Sequence, residues 1–445
     1  MTILTNASAR ADACHSTAEA SQAAHLAEAA RLFPGGAIGG YVLHPSVNFV
    51  ADHGEAAYLH DEAGRRYVDY VIGAGALILG HAHPAVTAAI VAQAADGATF
   101  FGSLNRPAIE LATLACRMIP CAERMAFTTS GSEATAYALR MARTHTGREK
   151  ILKFEGSYHG NYDYSLVATT PARASRYPAG LADSGGVPRA VADTVLVAPY
   201  NDAEAVHAIM RDHGRDIAAI IVEPIQRVIP PAPGFLEALR NAADAAGALL
   251  VFDEVVTGFR LAPGGAQAYF GVRPDLAAYG KIIGGGLGTG AVAGRADIID
   301  RASPARKGSA GFAYVNGTLH GNPLASAAGL ATLRGIDTPG FHAALNERTA
   351  ALRQELAKLL VHYRLPARIV GIASMWQVLF TAAEPRNYID VLNADMARTR
   401  AFDQALIRAG IYVLPGVRRL VSGVHGAAEF DATIAAFDSV CAAFA

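Results

Sequence analysis

The sequence predicts an α/β protein centred on a mostly parallel sheet with helices on both faces. Three observations predict it. From about residue 85 to about 335, short apolar runs with strand character alternate with stretches of helical periodicity. The runs are near-continuously apolar, as in Ala218–Val222 and Leu249–Phe252, which marks strands with no solvent-facing side. The chain of 445 residues is too long for one core. At roughly 100–200 residues per domain, two or three domains are expected.

The elements follow in order. Residues 1–17 are small and polar, with no charged stretch leading into an apolar core, so no export signal is expected there. From Thr17 to Phe33 the residues Ala24, Leu26, Ala29, Ala30 and Leu32 recur near helical spacing, and Pro34-Gly35-Gly36 stops the segment. Asn48–Ala51 and Ala57–His60 alternate like strands, and a turn at Asp61–Gly64 precedes Arg66–Tyr70. Helices are then expected over 84–96, 107–118, 132–145, 202–213, 234–246 and 322–335. Between them, strands are expected at Arg124–Thr128, Lys150–Phe154, Thr194–Val197, Ala218–Val222, Leu249–Asp253 and Leu276–Tyr279. A helix Phe341–His362 leads into an α+β tail with strands near Ile369–Leu379 and Tyr412–Leu414. Three regions result: an N-terminal segment 1–84 belonging to a small domain, a large ligand-binding domain 85–335, and a C-terminal small domain 336–445.

Composition narrows the function classes. The chain is 52% hydrophobic and 17% charged, with mean hydropathy +0.22. Against a usual charged share of ~25%, this excludes disorder and leaves apolar surface to bury against another copy. Net charge is −1 with no Lys/Arg-rich run, so no nucleic-acid partner is expected. The four cysteines (Cys14, Cys116, Cys121, Cys441) form neither C-x-x-C nor a zinc spacing, which fits a reducing cytoplasm. Apolar runs such as Ile217–Val222 fall far short of the ~20 residues that span a bilayer, so no membrane segment is expected.

In open α/β sheets ligands bind at the carboxyl ends of the strands, so the residues just past each strand carry the functional information. After Arg124–Thr128 comes Thr129-Ser130-Gly131-Ser132-Glu133, opening a helix. Free N–H groups and the positive dipole end make that turn an anion site, although a plain serine N-cap reads the same way. After Lys150–Phe154 comes Gly156-Ser157-Tyr158-His159-Gly160, able to hold a flat ring against a ligand or simply to form a tight turn. His159, His81 and His83 lack the spacing of a metal site, and none is expected. Glu223 and Asp253 each end an apolar strand, where a carboxylate is costly unless paired or functional. Asp253 could hold a cationic ligand group, cap a helix or pair with one of the many arginines.

The chain has only five lysines against 33 arginines. Lys150 and Lys153 flank a strand, Lys307 sits in a polar loop and Lys358 on a helix face, all compatible with the surface. Lys281 alone stands between two apolar segments, after Leu276–Tyr279 and before Ile282-Ile283-Gly284-Gly285-Gly286. A desolvated lysine has a lowered pKa and is a candidate amine nucleophile. Gly288-Thr289-Gly290-Ala291-Val292-Ala293 has the G-x-G-x-x-A form of a dinucleotide fingerprint, but a lysine and three glycines precede it where a strand should run. That context disfavours a NAD-dependent dehydrogenase, and the lack of G-x-x-x-x-G-K-[ST] excludes a P-loop nucleotidase.

The stretch Leu249–Arg260 (LLVFDEVVTGFR), then GGAQAYFGVRPDLAAYGK with IGGG, then Gly317-Thr318-Leu319-His320-Gly321-Asn322-Pro323, closely resembles the class III aminotransferases. These are fold-type I enzymes that use pyridoxal 5′-phosphate (PLP), and the nearest branch resembles the glutamate-1-semialdehyde aminomutase group. The similarity runs from about Phe33 to Phe437 with motif order and spacing kept. The resemblance implies a seven-stranded, mostly parallel sheet in a large PLP-binding domain, with a smaller α+β domain. It implies a Schiff base between Lys281 and the cofactor, Asp253 on the pyridine nitrogen, Tyr158 stacked on the ring and His159 beside it. Ser130, Gly131 and Ser132 would hold the phosphate, joined by Thr318 from the other subunit of a homodimer, with Glu223 and Gln226 close by.

The implied reaction is ping-pong transfer of an amino group from an amino acid or amine to an oxo acceptor. Intramolecular transfer, as in the aminomutases, is the alternative, and a non-catalytic PLP-binding protein is a remote one. Relatives carry arginines for the substrate carboxylate at positions that here read Val42, Gly39 and Gly416. Either the substrate is not gripped by its carboxylate at the usual place, or Arg227, Arg418 or Arg419 has taken the role.

Overall fold

A computed structural model describes residues 18–445, so the polar segment 1–17, Cys14 and the predicted helix start at Thr17 lie outside the described residues. Helix 18–32 gives way to a short 3-10 turn at Pro34–Gly36, where Gly35 takes φ +64°. The strands β1 (Ala51–Glu55), β2 (Tyr58–Asp61) and β3 (Arg66–Asp69) form an antiparallel meander. The first begins at Ala51 rather than at Asn48, after a 3-10 turn at Pro45–Val47 capped by the His44 side chain.

The central sheet has seven strands: β4 (Arg124–Thr128), β5 (Lys150–Phe154), β6 (Val195–Ala198), β7 (Ile217–Val222), β8 (Leu249–Asp253), β9 (Leu276–Tyr279) and β10 (Gly290–Gly294). Their spatial order is β4-β10-β9-β8-β7-β5-β6. β5 to β9 pair in parallel, whereas β10 runs antiparallel to both β9 and β4. β4 therefore points the same way as β9, and six strands deliver their carboxyl ends to one edge. β6, β7, β8, β9 and β10 are buried at every position, as expected for a sheet covered on both faces.

β10 is the strand absent from the sequence expectation, and it occupies the stretch with the dinucleotide-fingerprint form. Its GAVAG sequence has glycine at both ends because neighbouring strands press close. A Cβ on Gly290 would lie 2.6 Å from Thr128 Oγ1, and one on Gly294 2.3 Å from Asp275 O.

The helices match the expected spans within a residue or two: Pro84–Asp96, Arg106–Met118, Gly131–Thr146, Ala203–His213, Phe235–Ala246, Pro323–Ile336 and Phe341–His362. The tail adds β11 (Arg368–Ile372), β12 (Met375–Leu379), β13 (Ile411–Tyr412) and β14 (Arg419–Leu420), with helices Met396–Arg408 and Ala427–Phe444 between and after them. β13 pairs in parallel with β3, so the N-terminal meander and the tail share one sheet. β14 pairs with β12, and Arg418 just before it reaches the central edge from outside.

Candidate active site

Most of the candidate side chains sit at or just past a strand end on the common edge, and Arg418 reaches them from the C-terminal tail. β4 runs into Ser130, the N-cap of helix Gly131–Thr146, whose hydroxyl accepts from the Glu133 N–H at 3.2 Å. Gly131 is packed too closely to carry a side chain, since a Cβ there would sit 2.8 Å from both Val255 methyls. The first turn thus presents the backbone N–H groups of Gly131 and Ser132 and the positive end of a 16-residue helix. Ser132 Oγ accepts from the Asn161 N–H at 3.2 Å, and Tyr158 OH donates to Asn161 Oδ1 at 3.0 Å. Tyr158, which follows β5, is 48% exposed and lines the pocket.

β8 ends in Asp253, which is buried. Its Oδ1 accepts from the Val255 N–H at 3.0 Å, and its Oδ2 lies 2.8 Å from His159 Nδ1. A carboxylate oxygen can only accept, so this contact orients the imidazole with Nδ1 towards Asp253. The neighbouring Glu254 faces away: its carboxylate accepts from the Ala266 N–H (2.9 Å), the Gln267 N–H (3.1 Å) and the Thr257 hydroxyl (2.7 Å), fixing the turn after the strand. Glu223, after β7, is pushed up from the ordinary carboxylate range, chiefly by burial.

Lys281 follows β9 through an extended Gly280 and opens a 3-10 turn, Lys281–Gly284. Its φ of +54° lies in the left-handed region, which non-glycine residues rarely occupy and which concentrates at functional sites. Burial, reinforced by the Arg418 guanidinium, pulls its ammonium down to about 8 against the opposing pull of Asp253 and Glu223.

One pocket is lined by Ser130, Gly131, Ser132, Tyr158, His159, Glu223, Asp253, Lys281 and Arg418 together with Gly160, Ile225, Val255, Val256 and Thr257. Sequence reasoning named the first nine. The apolar lining Val255-Val256 went unremarked, although it directly follows the strand-ending acids. Gln226 lies behind the lining, fully buried, with Nε2 donating to the Glu155 carbonyl at 2.8 Å. Thr318 sits on an exposed turn outside the lining. Gly39 and Val42 also lie outside it; both are exposed, and Gly39 has φ +113°.

The three candidate arginines part company. Arg418 reaches the pocket. Arg227 points elsewhere: Nη2 donates to the Thr169 carbonyl at 3.1 Å and the guanidinium packs 4.9 Å from the Tyr388 ring centroid. Its own carbonyl accepts from Arg418 Nη1 at 3.2 Å. Arg419 is removed from the candidates. It is fully buried in β14, hydrogen-bonded to the equally buried Asp403 and stacked over Trp376. Alternation along the strand sends the two adjacent guanidinium groups to opposite faces.

The expectation of a surface position for Lys153 is also overturned. It is fully buried on β5, and its Nζ donates to the carbonyls of Ser165 (2.6 Å), Val167 (2.6 Å) and Ser157 (3.2 Å) and to Thr169 Oγ1 (3.1 Å). Strand-flanking position alone does not tell an outward lysine from one covered by the following loop.

The residues present suit a flat, phosphorylated, nitrogen-heterocyclic aldehyde. Among the described residues, Glu223 Oε2, Gln226 Oε1 and His159 Nε2 are buried without a protein hydrogen-bond partner. The uncluttered helix start suits a phosphate, Asp253 a protonated ring nitrogen, and the lowered Lys281 amine an aldehyde carbon.

Comparisons with known proteins agree with that chemistry. The model of the aminotransferase class-III family matches residues 41–423. The chain is 43% identical over 425 residues to glutamate-1-semialdehyde 2,1-aminomutase of Roseiflexus castenholzii, covering 92% of this chain and 94% of that protein. The fold superposes on an omega-transaminase from Sphaerobacter thermophilus with TM-score 0.89 at 33% identity, covering 95% and 97% of the two chains. It also superposes on a glutamate-1-semialdehyde aminomutase from Pseudomonas aeruginosa in complex with PMP, with TM-score 0.83 at 26% identity over 97% and 98% of the chains. A family match spanning most of the chain, and a relative this similar over nearly its full length, make this protein an enzyme of the class III aminotransferase family.

Proposed function

We propose that this enzyme moves an amino group between an amino acid or amine and an oxo acceptor by a ping-pong route, with PLP held at the Lys281 pocket. The observation that carries the reading is the convergence of Lys281, Asp253 and the half-exposed Tyr158 on one pocket at the sheet edge. When bound, PLP supplies an electron sink for the substrate carbanion. Asp253, oriented by His159 and the Val255 N–H, keeps a ring nitrogen protonated. Lys281 provides the amine that anchors the aldehyde and, once released, moves a proton as general base. Ser130, Gly131 and Ser132 hold the phosphate at the helix start. Tyr158 would cover the ring, with Glu223 lining the same pocket and Gln226 buried behind that lining.

We further propose a homodimer in which Thr318 of one copy reaches the phosphate of the other. The lone-chain cavity of about 190 Å³ is below the ~300 Å³ of ordinary ligand pockets. Phe101 (66%), Leu104 (91%) and Leu319 (46%) are exposed apolar side chains suited to a second copy. Arg418, which lines the pocket, would receive a substrate carboxylate. A reducing cytoplasm suits the free thiols Cys116, Cys121 and Cys441.

Half-reactions with a panel of amino acids and amines, followed by absorbance of the bound cofactor, test the reading. Conversion to the pyridoxamine form by a donor and its reversal by a separate oxo acceptor are expected. The likeness to an aminomutase favours one second reading, an amino shift within a single substrate. If such a shift outruns exchange between two substrates, that reading replaces the first.

A further inference from the structure

Lys153 is the buried cation that the chemistry above does not use. Four oxygens and no N–H face its Nζ: the carbonyls of Ser157, Ser165 and Val167 and the Thr169 hydroxyl. Such a cage suits an ammonium, because a neutral amine would turn its lone pair on a carbonyl oxygen. Burial pulls the group down to about 7, and the Asp183 and Glu223 carboxylates counter this, with Arg227 acting in the same direction as burial.

The four oxygens come from residues 157 to 169, the loop that leaves β5 and carries Tyr158 and His159. The Ser157 carbonyl is one bond from the Tyr158 nitrogen. Ser165, whose carbonyl binds Nζ, also accepts from the His159 N–H through its hydroxyl at 3.1 Å. Thr169 continues the connection: its carbonyl accepts from Arg227, whose own carbonyl accepts from Arg418. Both sides of the pocket therefore lead back to one ammonium.

We propose that Lys153 is a positioning residue, whose caged ammonium fixes the loop presenting Tyr158 and His159 and, through Thr169 and Arg227, steadies Arg418 at the pocket. This role rests on the PLP reading of the site. A hydrophobic side chain would fill the same space without tying four loop oxygens to the strand. Hydrogen bonds to a charged donor are worth more than neutral ones, and the cage concentrates them on one atom.

The test uses the full-length protein, with PLP as the probe. Lys153→Met preserves side-chain length and removes the charge, while Lys150→Met on the same strand serves as control, its ammonium being 3.0 Å from Asp216 near the surface. PLP affinity is expected to fall roughly tenfold or more in Lys153→Met, reflecting the loss of charged hydrogen bonds. The visible circular-dichroism band of bound PLP should weaken as the ring loses its fixed orientation, and KM for acidic donors should rise more than KM for simple amines. Lys150→Met should match the wild type in all three. Thr169→Val, which deletes only one oxygen of the cage, provides a milder variant if the first folds poorly, with a smaller change in the same direction. Lowered melting temperature with unchanged affinity, dichroism and KM ratio would overturn the positioning role. Wild-type protein that takes up no PLP would instead overturn the functional reading on which the role depends.

Discussion

His159 Nδ1 lies 2.8 Å from Asp253 Oδ2, with both side chains almost sealed from solvent. The pair joins the ends of β5 and β8, two strands that are not neighbours in the sheet. Asp253 turns one oxygen to His159 and the other to a backbone N–H, so the carboxyl group is held in place. That is the arrangement needed to meet a cationic ring nitrogen, and it separates the role of Asp253 from that of the neighbouring Glu254, whose oxygens are consumed by its own turn.

Asp253→Asn should therefore cut kcat by about 10²–10³-fold, the usual cost of losing one preorganised electrostatic partner. His159→Phe should produce a smaller loss through Asp253. Steady-state kinetics on the two variants and the double variant check this. The double variant should be little worse than Asp253→Asn alone, because the two residues act as one unit.

The Lys281 amine is held at about 8, first by burial and then by Arg418. The neutral amine is the nucleophile, so covalent uptake of PLP by cofactor-free enzyme should rise with pH and level off above about 8. Arg418→Met removes a neighbouring positive charge, which raises the Lys281 pKa and moves that rise to higher pH. Stopped-flow absorbance across the pH range measures the midpoint. An identical midpoint in both proteins would remove Arg418 from the electrostatics of the site.

Arg418 and Arg419 are adjacent in sequence and should respond in opposite ways. Arg418→Met should raise KM for acidic substrates by at least about tenfold, the loss of a strong guanidinium–carboxylate contact, and spare simple amines. Arg419→Met leaves Asp403 buried without its partner, and it should cost about 3–5 kcal/mol of stability with little effect on KM in the protein that remains folded. Denaturant unfolding and substrate-panel kinetics on both variants separate the two roles.

The sheet edge was legible in the sequence because apolar strands announce themselves and the chemistry follows each strand end. Lys281 stood out for a compositional reason, as one of five lysines and the one set between apolar segments. Ser130, Gly131, Asp253 and Glu223 were singled out by their positions at strand ends, while the roles expected of them came from the family resemblance. What was not readable depended on contacts between distant segments. Arg419 and Arg418 look alike until β14 pairs with β12 and turns one inward to Asp403. Lys153 resembles a surface lysine until residues 157–169 fold over it. The β10 strand carries too few large side chains to read as a strand, because its glycines answer to neighbours more than 100 residues earlier in the chain as well as to nearby ones.

The central claim is that Lys281 holds PLP covalently, and borohydride reduction of the PLP-loaded enzyme followed by peptide mapping tests it most directly. The label should appear on the peptide containing Lys281 and be lost in Lys281→Ala, which should also reduce turnover by several orders of magnitude. Label on Lys153 or another lysine, or no label in a protein that transfers amino groups, would contradict the account.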